Sequence, residues 1–101
     1  MATETWYVYL LECSNKRIYT GVSPDVDARI RKHQFGKGAL FTKINKPERL
    51  LAQKAFSSKR EALQVEQQIK KMPAEGKRLL ADLWLKAQSS NTLSTSQDPV
   101  N

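Results

Sequence analysis

Two short runs of aromatic and β-branched residues near the start of the chain constrain the fold most strongly. The first run extends from Trp6 to Leu11 and the second from Ile18 to Val22, with a polar connection at 14–16. Such residues favour extended backbone, and a short polar connection between two extended runs favours antiparallel pairing. The sequence therefore predicts a β-hairpin.

Further helix and strand signals follow the hairpin. A helix is predicted to start with Ser23 as N-cap and Pro24 in its first turn, and to stop near Gly36. The remaining segments are a loop over 36–47, a strand over 49–56, a helix opened by a capping box at 58–61 and a last helix after Pro73. The apolar stripe of this last helix is expected to consist of Leu79, Leu80, Leu83 and Trp84. The order β-β-α-β-α-α predicts an α+β fold, in which helices flank a small three-stranded antiparallel sheet.

The length and composition fit one folded domain. The chain has 101 residues, of which 40% are hydrophobic and 27% are charged, and this balance is typical of a globular protein. We expect the domain over 1–87 and a disordered tail over the Ser/Thr/Asn-rich residues 88–101. The chain shows no secretory leader and no apolar run of membrane-spanning length, and it has a single cysteine, Cys13. Cytoplasmic residence is therefore expected.

Positive charge is concentrated in the middle third of the chain. Residues 29–60 hold ten basic and one acidic side chain, a net of +9 in a chain whose total is +7. Such a segment suits a polyphosphate partner, because neutralised phosphates release counterions, although it also suits a solubilising surface. The cations expected to contact nucleic acid are Arg31, Lys32, Lys37, Lys43 and Lys46.

Three ionisable residues lie on helix faces that are otherwise apolar. Arg29 and His33 fall at helical spacing from Val26 and Ile30, and Glu66 falls inside the apolar arc of the second helix. A carboxylate is seldom buried without a partner. Glu66 is therefore expected either to pair with a cation such as Arg29 or to coordinate a metal ion.

Two tyrosines extend this set. The predicted hairpin places Tyr9 and Tyr19 on neighbouring strands. Aromatic residues in such positions are by themselves typical of a core. Two phenols with Arg29, His33 and Glu66 could also act on a phosphodiester, through charge neutralisation, cation binding and proton transfer. The chain contains no HExxH, GxxxxGK[ST] or GxSxG pattern and only one histidine, which disfavours zinc hydrolysis and the usual ATP cleavage.

The order and spacing of these residues resemble the GIY-YIG nuclease domain. The matching positions are Tyr7-Val8-Tyr9, Tyr19-Thr20-Gly21, Arg29, His33 and Glu66, and the resemblance extends from Trp6 to Leu85. It is similar in particular to the small stand-alone bacterial (YhbQ-like) branch. Tyr7 stands where the family name has glycine, and Thr20 where it has isoleucine or valine.

The resemblance implies a metal-dependent endonuclease that hydrolyses DNA phosphodiester bonds with one Mg²⁺ or Mn²⁺ ion. It implies Tyr9 as general base, Tyr19 as a group that orients water or phosphate, and Arg29 as the stabiliser of phosphate charge. By the same resemblance Glu66 is the sole protein ligand of the metal, and His33 supports proton transfer.

The expected partner is DNA, branched or nicked, cut with low sequence preference in repair or processing. A monomer is expected, and a partner protein could supply targeting. Two alternatives remain open at this stage. One is a non-catalytic nucleic-acid-binding module in which Glu66 forms an ion pair and binds no metal. The other is a protein-interaction adaptor whose partner docks on the last helix through Trp84.

Overall fold

The predicted hairpin forms the first half of a three-stranded sheet. The computed structural model describes residues 5–97, and it describes side chains over 5–88. The strands are β1 (Trp6–Cys13), β2 (Ile18–Ser23) and β3 (Pro47–Phe56), and a short 3₁₀ turn at Ser14–Lys16 joins the first two. The helices are α1 (Val26–Gln34), α2 (Leu40–Ile44), α3 (Lys59–Lys70) and α4 (Ala74–Gln97). The α+β class and the three-stranded sheet flanked by helices are confirmed.

The sheet places β1 at its centre, because both neighbours pair with it. The strand order is β2-β1-β3 and both pairings are antiparallel. Tyr9 pairs with Gly21 of β2, and Leu11 pairs with Tyr19. The residues from Val8 to Leu11 are all 0% exposed, so the central strand is covered on both faces.

The two faces of the sheet carry different cores. One face is aliphatic and packs against α3 and α4; its buried members are Val8, Leu10, Ile18, Ala52, Ala62, Ile69, Ala81 and Trp84. The other face lies toward α1 and α2; its buried members are Tyr9, Leu11, Cys13 and Val26, with Tyr7, Tyr19, Ile30 and Phe41 packed around them. The polar side chains predicted for the site belong largely to this second, more aromatic face.

The helix starts follow the predicted capping chemistry with one correction. The N-cap of α1 is Asp25, whose side chain accepts a hydrogen bond from the Ala28 N–H at 3.1 Å. Ser23 was the expected N-cap, but it is the last residue of β2 and pairs with Tyr7 of β1, so the helix begins only after it. The N-cap of α3 is Ser58, as predicted, and it accepts from the Glu61 N–H at 3.1 Å.

The segment 36–47 was predicted to be a loop, but it contains the short helix α2. Its first turns are closed by Thr42 N–H and Lys43 N–H, which both donate to the Ala39 carbonyl at 3.0 and 3.2 Å. A helix of five residues is too short to show the apolar repeat by which helices are recognised in a sequence. The loop prediction was therefore wrong for Leu40–Ile44.

The last helix is longer than predicted. Its backbone continues to Gln97, whereas a disordered tail was expected from 88; residues 98–101 lie outside the described residues. Neither glycine nor proline interrupts the chain between Gly76 and Pro99, so nothing in the sequence forces an earlier end. No helix in the described range is both long and apolar enough to cross a membrane.

Thr20 carries the one buried side-chain polar atom in the described residues that lacks a hydrogen-bond partner. It is 2% exposed. We expect Thr20→Val to stabilise the fold by about 1–2 kcal/mol, because it removes an unsatisfied hydroxyl while keeping the branched shape that suits a strand. Urea unfolding of the two proteins measures the difference.

The same substitution at Thr42 is the matched control. The Thr42 hydroxyl is hydrogen-bonded on both sides, so Thr42→Val is expected to lower the free energy of unfolding. A Thr20→Val protein no more stable than wild type would contradict the assignment of Thr20 as unsatisfied.

Candidate active site

Tyr9 stands at the centre of the site, in the middle of the central strand. Its ring lies over Gly21, the residue opposite it on β2. A Cβ built at Gly21 would lie 2.5 Å from both Cζ and Oη of Tyr9, and 2.8 Å from Cε2 of Tyr19. No other residue leaves this space empty, so glycine at position 21 allows the Tyr9 phenol to reach its place.

The Tyr9 hydroxyl is hydrogen-bonded to His33, which projects from the last turn of α1. The distance between Tyr9 Oη and His33 Nε2 is 2.9 Å. The second ring nitrogen, Nδ1, lies 2.7 Å from Oγ1 of Thr42, and Thr42 donates to the Ala39 carbonyl oxygen at 2.8 Å. His33 is 1% exposed. Tyr9, His33 and Thr42 therefore form one buried hydrogen-bonded chain from β1 to α2.

The connection between α1 and α2 is shaped to reach His33. Gly36 has a φ of 75° and ends α1, with its N–H donating to the His33 carbonyl at 3.0 Å and Lys37 N–H donating to Lys32 at 2.9 Å. This is the Schellman pattern of helix termination. The backbone then passes so close to the imidazole that a Cβ at Gly38 would overlap Nδ1 of His33.

Tyr19 closes the aromatic side of the site. Its ring centroid is 6.1 Å from that of Tyr9 and 4.9 Å from that of His33, which it meets edge-on. Phe41 of α2 packs behind it at 5.8 Å. The predicted pair of tyrosines is thus in contact, and α2 helps to hold it.

Burial and charge shift the pKa values of the central groups. Burial raises the pKa of the Tyr9 phenol well above its ordinary value, and Tyr19 and Glu66 raise it further. The Arg29 guanidinium acts in the opposite direction and lowers it. Burial, and then the positive charge of Arg29, lower the pKa of His33. Both Tyr9 and His33 are therefore neutral in the resting protein.

Glu66 is buried on α3 close enough to influence Tyr9 electrostatically. It is 7% exposed, and its ion pair is with Lys70 one turn later, at 3.5 Å, rather than with Arg29. Its carboxylate is a hard oxygen donor held near the Tyr9 phenol. Across residues 5–97 no three His, Cys, Asp or Glu side chains gather into a metal site. A cation held at Glu66 would therefore have few protein ligands and several waters, an arrangement that suits Mg²⁺.

The basic residues expected at a nucleic-acid surface are exposed beside this site. Arg31, Lys32 and Lys37 are exposed on and after the last turn of α1. Lys43 and Lys46 border a depression of about 480 Å³ that also reaches His33 and Thr42, with Phe35 on its rim.

Two residues of the site were not found from the sequence. Thr42 lies in the segment interpreted as a loop, and Gly38 was assigned only to that loop. The glycine pair Gly36 and Gly38 was the available signal, since two glycines so close to a histidine are typical of a close backbone approach.

Trp84 does not offer the docking surface that the adaptor alternative requires. It is 8% exposed and belongs to the aliphatic core. The expected apolar stripe of α4 is divided instead, because Leu79 and Leu83 are 62% and 61% exposed while Leu80 packs inward.

Comparison with known families agrees with this fold. The family model described as the GIY-YIG catalytic domain matches residues 5–78. The chain belongs to the GIY-YIG family, which is a superfamily of nucleases that generally use divalent metal ions. Membership implies nuclease-type function and a DNA substrate.

Within that family, the chain is similar to the small bacterial UPF0213 proteins. A UPF0213 protein of Cupriavidus pinatubonensis is 51% identical over 72 residues, which are 71% of this chain and 80% of that one. One of Cupriavidus necator is 47% identical over 77 residues, covering 76% and 84%. The solution NMR structure of a UPF0213 protein from Bacillus halodurans has a TM-score of 0.50 and 46% identity, and covers 78% of this chain and 84% of that one. These relatives match the stand-alone branch.

The lowered pKa of His33 predicts how stability depends on pH. An unfolded chain takes up the histidine proton near the ordinary pKa of 6.5, whereas the folded protein does so only at lower pH, because burial and Arg29 disfavour the charged ring beside Tyr9 and Tyr19. Below about pH 6.5 the unfolded state binds more protons, so stability falls as the pH falls, by at most about 1.4 kcal/mol per pH unit.

Urea unfolding at several pH values between 7.5 and 5 measures this slope. Glu12, whose pKa its arginine partners lower from an ordinary 4.5, contributes only below that window. The chain has one histidine, so an NMR titration of its ring gives the folded pKa directly. Stability that stays flat or rises toward pH 5 would be the opposite result.

The close approach of Gly38 to His33 predicts the effect of a single methyl group. Gly38→Ala is expected to destabilise the protein by about 1–3 kcal/mol, since the added Cβ must displace the imidazole or the backbone. Gly76→Ala is the control: its Cβ would lie 3.2 Å from the flexible end of Met72, and alanine favours a helix, so stability should hold or rise. Thermal unfolding of both variants gives the comparison, and equal stability of Gly38→Ala and wild type would refute the tight contact.

Proposed function

We propose that this protein is a metal-dependent endonuclease that hydrolyses DNA phosphodiester bonds. The observation that carries the proposal is the 2.9 Å hydrogen bond between the buried Tyr9 hydroxyl and His33, with Arg29 and Glu66 close enough to act on the same phenol. A proton acceptor, a cation for the phosphate and a hard carboxylate are thus collected at one point. The family and its DNA substrate support the same conclusion.

In the reaction, a water oxygen forms a bond to phosphorus while one phosphorus–oxygen ester bond breaks. Tyr9 is the general base that takes the water proton, and His33 supports that transfer through the hydrogen bond they share. The leaving alkoxide takes a proton from solvent. A phenol with a raised pKa keeps its proton at neutral pH. The neighbouring cation Arg29 favours loss of that proton and so assists Tyr9 as a base.

Arg29 and Tyr19 act on the phosphate. The half-buried guanidinium of Arg29 would neutralise the negative charge that grows on the phosphoryl oxygens. The hydroxyl of Tyr19, held between Tyr9 and His33 by its ring contacts, would orient the water or the phosphate. Both groups are half-buried beside Tyr9.

Glu66 would hold the divalent cation. The donor set fits a hard ion such as Mg²⁺ or Mn²⁺, because a buried carboxylate meets only a 3.5 Å contact from a largely exposed lysine within the described residues. When bound, the ion supplies charge neutralisation at the scissile phosphate. One ion is expected, since no group of three or more His, Cys, Asp or Glu side chains among residues 5–97 offers a larger metal site.

The basic surface next to the site supports DNA as the polymer held during cleavage. Arg31, Lys32, Lys37, Lys43 and Lys46 would contact phosphates and carry no sequence information by themselves. We therefore expect low sequence preference, a branched or nicked substrate, and a role in DNA repair or processing in the cytoplasm. We expect the protein to act as a monomer, with targeting left to a partner protein.

A second function, non-catalytic binding of nucleic acid, is favoured by one observation. Glu66 has a lysine partner in Lys70, and a carboxylate that serves only as one half of an ion pair needs no metal. In that case the positive segment would account for the whole activity of the protein. The two functions make opposite predictions about Glu66.

Cleavage should depend on both metal and Glu66. We expect Mg²⁺- or Mn²⁺-dependent cutting of branched, nicked or single-stranded DNA, reduced at least about 100-fold in Glu66→Gln and in Arg29→Ala, because each removes charge stabilisation of the transition state. The measurement is cleavage of labelled oligonucleotides on denaturing gels, with folding of each variant checked by circular dichroism.

Matched controls use exposed residues of the same types. Glu75→Gln and Arg17→Ala change an exposed carboxylate on α4 and an exposed guanidinium that directly precedes β2, and should cut like wild type. Binding that weakens with salt but is equal in wild type and Glu66→Gln, with no cleavage by either, would establish the binding module instead.

A further inference from the structure

The hydrogen bonds around His33 determine which ring nitrogen carries the proton. The Thr42 hydroxyl has one hydrogen and two neighbours, the Ala39 carbonyl oxygen at 2.8 Å and His33 Nδ1 at 2.7 Å. A carbonyl only accepts, so the threonine hydrogen points to it and a lone pair of Oγ1 faces Nδ1. Nδ1 is therefore the protonated nitrogen of the neutral ring.

This tautomer makes the opposite nitrogen an acceptor. A neutral imidazole holds one ring proton, so Nε2 presents its lone pair to Tyr9 Oη at 2.9 Å. The phenol then donates to Nε2. Its oxygen lone pairs then face other donors, of which the Arg29 guanidinium is one.

The other tautomer would reverse these roles. With the proton on Nε2, the imidazole would donate to Tyr9 and have nothing to receive the phenol hydrogen. Nδ1 and Oγ1 could pair only if threonine gave up its bond to Ala39, which would leave that carbonyl oxygen facing a lone pair at 2.8 Å. Thr42 therefore selects between two states of His33 that differ in chemistry.

We infer that Thr42 is a positioning residue, which holds His33 in the Nδ1–H tautomer so that Nε2 can receive the proton of Tyr9. Its use in catalysis rests on the nuclease function proposed above. As the attacking water loses a proton to the Tyr9 oxygen, the Tyr9 O–H bond breaks and an N–H bond forms at Nε2. Tyr9 ends as a neutral phenol and His33 as an imidazolium.

This route avoids a free phenolate in a buried place. The positive charge that appears on His33 arises while negative charge grows on the phosphate, so the two charges develop together. Thr42 touches neither the water nor the phosphate in this scheme, and it acts only through the ring that it orients. No local sequence pattern marks Thr42, because its partner His33 is nine residues away and the two meet only when α2 packs against α1.

The test combines nitrogen NMR of the single histidine with cleavage kinetics. In wild type labelled with ¹⁵N-histidine we expect one ring proton, on Nδ1, and an acceptor-type shift for Nε2. Thr42→Val should populate the Nε2–H tautomer and lower the cleavage rate roughly 10- to 100-fold, a loss comparable to that from removing groups which orient ligating histidines. Thr42→Ser keeps the hydroxyl and should restore both the spectrum and the rate to near wild type.

Thr20→Val is the matched control, since it is the same substitution at a buried threonine that pairs with Leu10, a member of the aliphatic face of the sheet. It should change neither the tautomer nor the rate. An Nε2–H tautomer in wild type, or a Thr42→Val protein with the wild-type tautomer and rate, would overturn the inference. Equal losses in Thr42→Val and Thr42→Ser with an unchanged tautomer would make Thr42 merely structural.

The NMR arm separates this inference from the nuclease assignment. It is recorded on the resting protein without DNA or metal, so it reads the orientation of His33 whether or not any substrate is cut. A wild-type protein that shows the Nδ1–H tautomer but never cleaves DNA would refute the proposed function and leave the Thr42–His33 arrangement standing.

Discussion

Burial of the Tyr9 hydroxyl in the central strand is the constraint on which the rest of the site depends. β1 is covered on both faces, so the one phenol at its middle must find a partner inside the protein. That partner is His33, and His33 in turn needs Thr42. Room for the pair comes from two glycines, Gly21 below the phenol and Gly38 against the imidazole.

The two faces of the sheet differ in composition: one holds mainly apolar core residues, and the other holds most of the candidate site residues. The aliphatic face against α3 and α4 holds most of the apolar core, whereas the face toward α1 and α2 holds the hydrogen-bonded groups. Glu66 is the exception, because it comes from α3 and yet influences the Tyr9 phenol. Its lysine partner keeps the buried carboxylate from being unpaired, and an exposed lysine is a counterion that a doubly charged ion can displace.

Local signals in the sequence predicted most of the fold, and long-range contacts account for what was missed. Alternation and capping gave the hairpin, the end of α1 and the start of α3, because each depends on neighbours in the chain. The five residues of α2 make too few turns for a repeat, and the buried side of α4 depends on how that helix is rotated against β3. The set of Tyr9, Tyr19, Arg29, His33 and Glu66 came from residue types and a family resemblance. The role of Thr42 could not be predicted from the sequence, because Thr42 contacts His33 only after α2 packs against α1.

The last turn of α1 reduces the electrostatic repulsion among the basic side chains that it carries. Like charges packed together ordinarily repel and weaken a fold. Here Arg31 and Lys32 sit in the last turn of α1, where the aligned peptide dipoles present their negative end. The backbone thus acts as a counter-charge for the side chains it displays. The basic side chains at the end of α1 therefore stabilise the helix while they make this surface attractive to a polyanion.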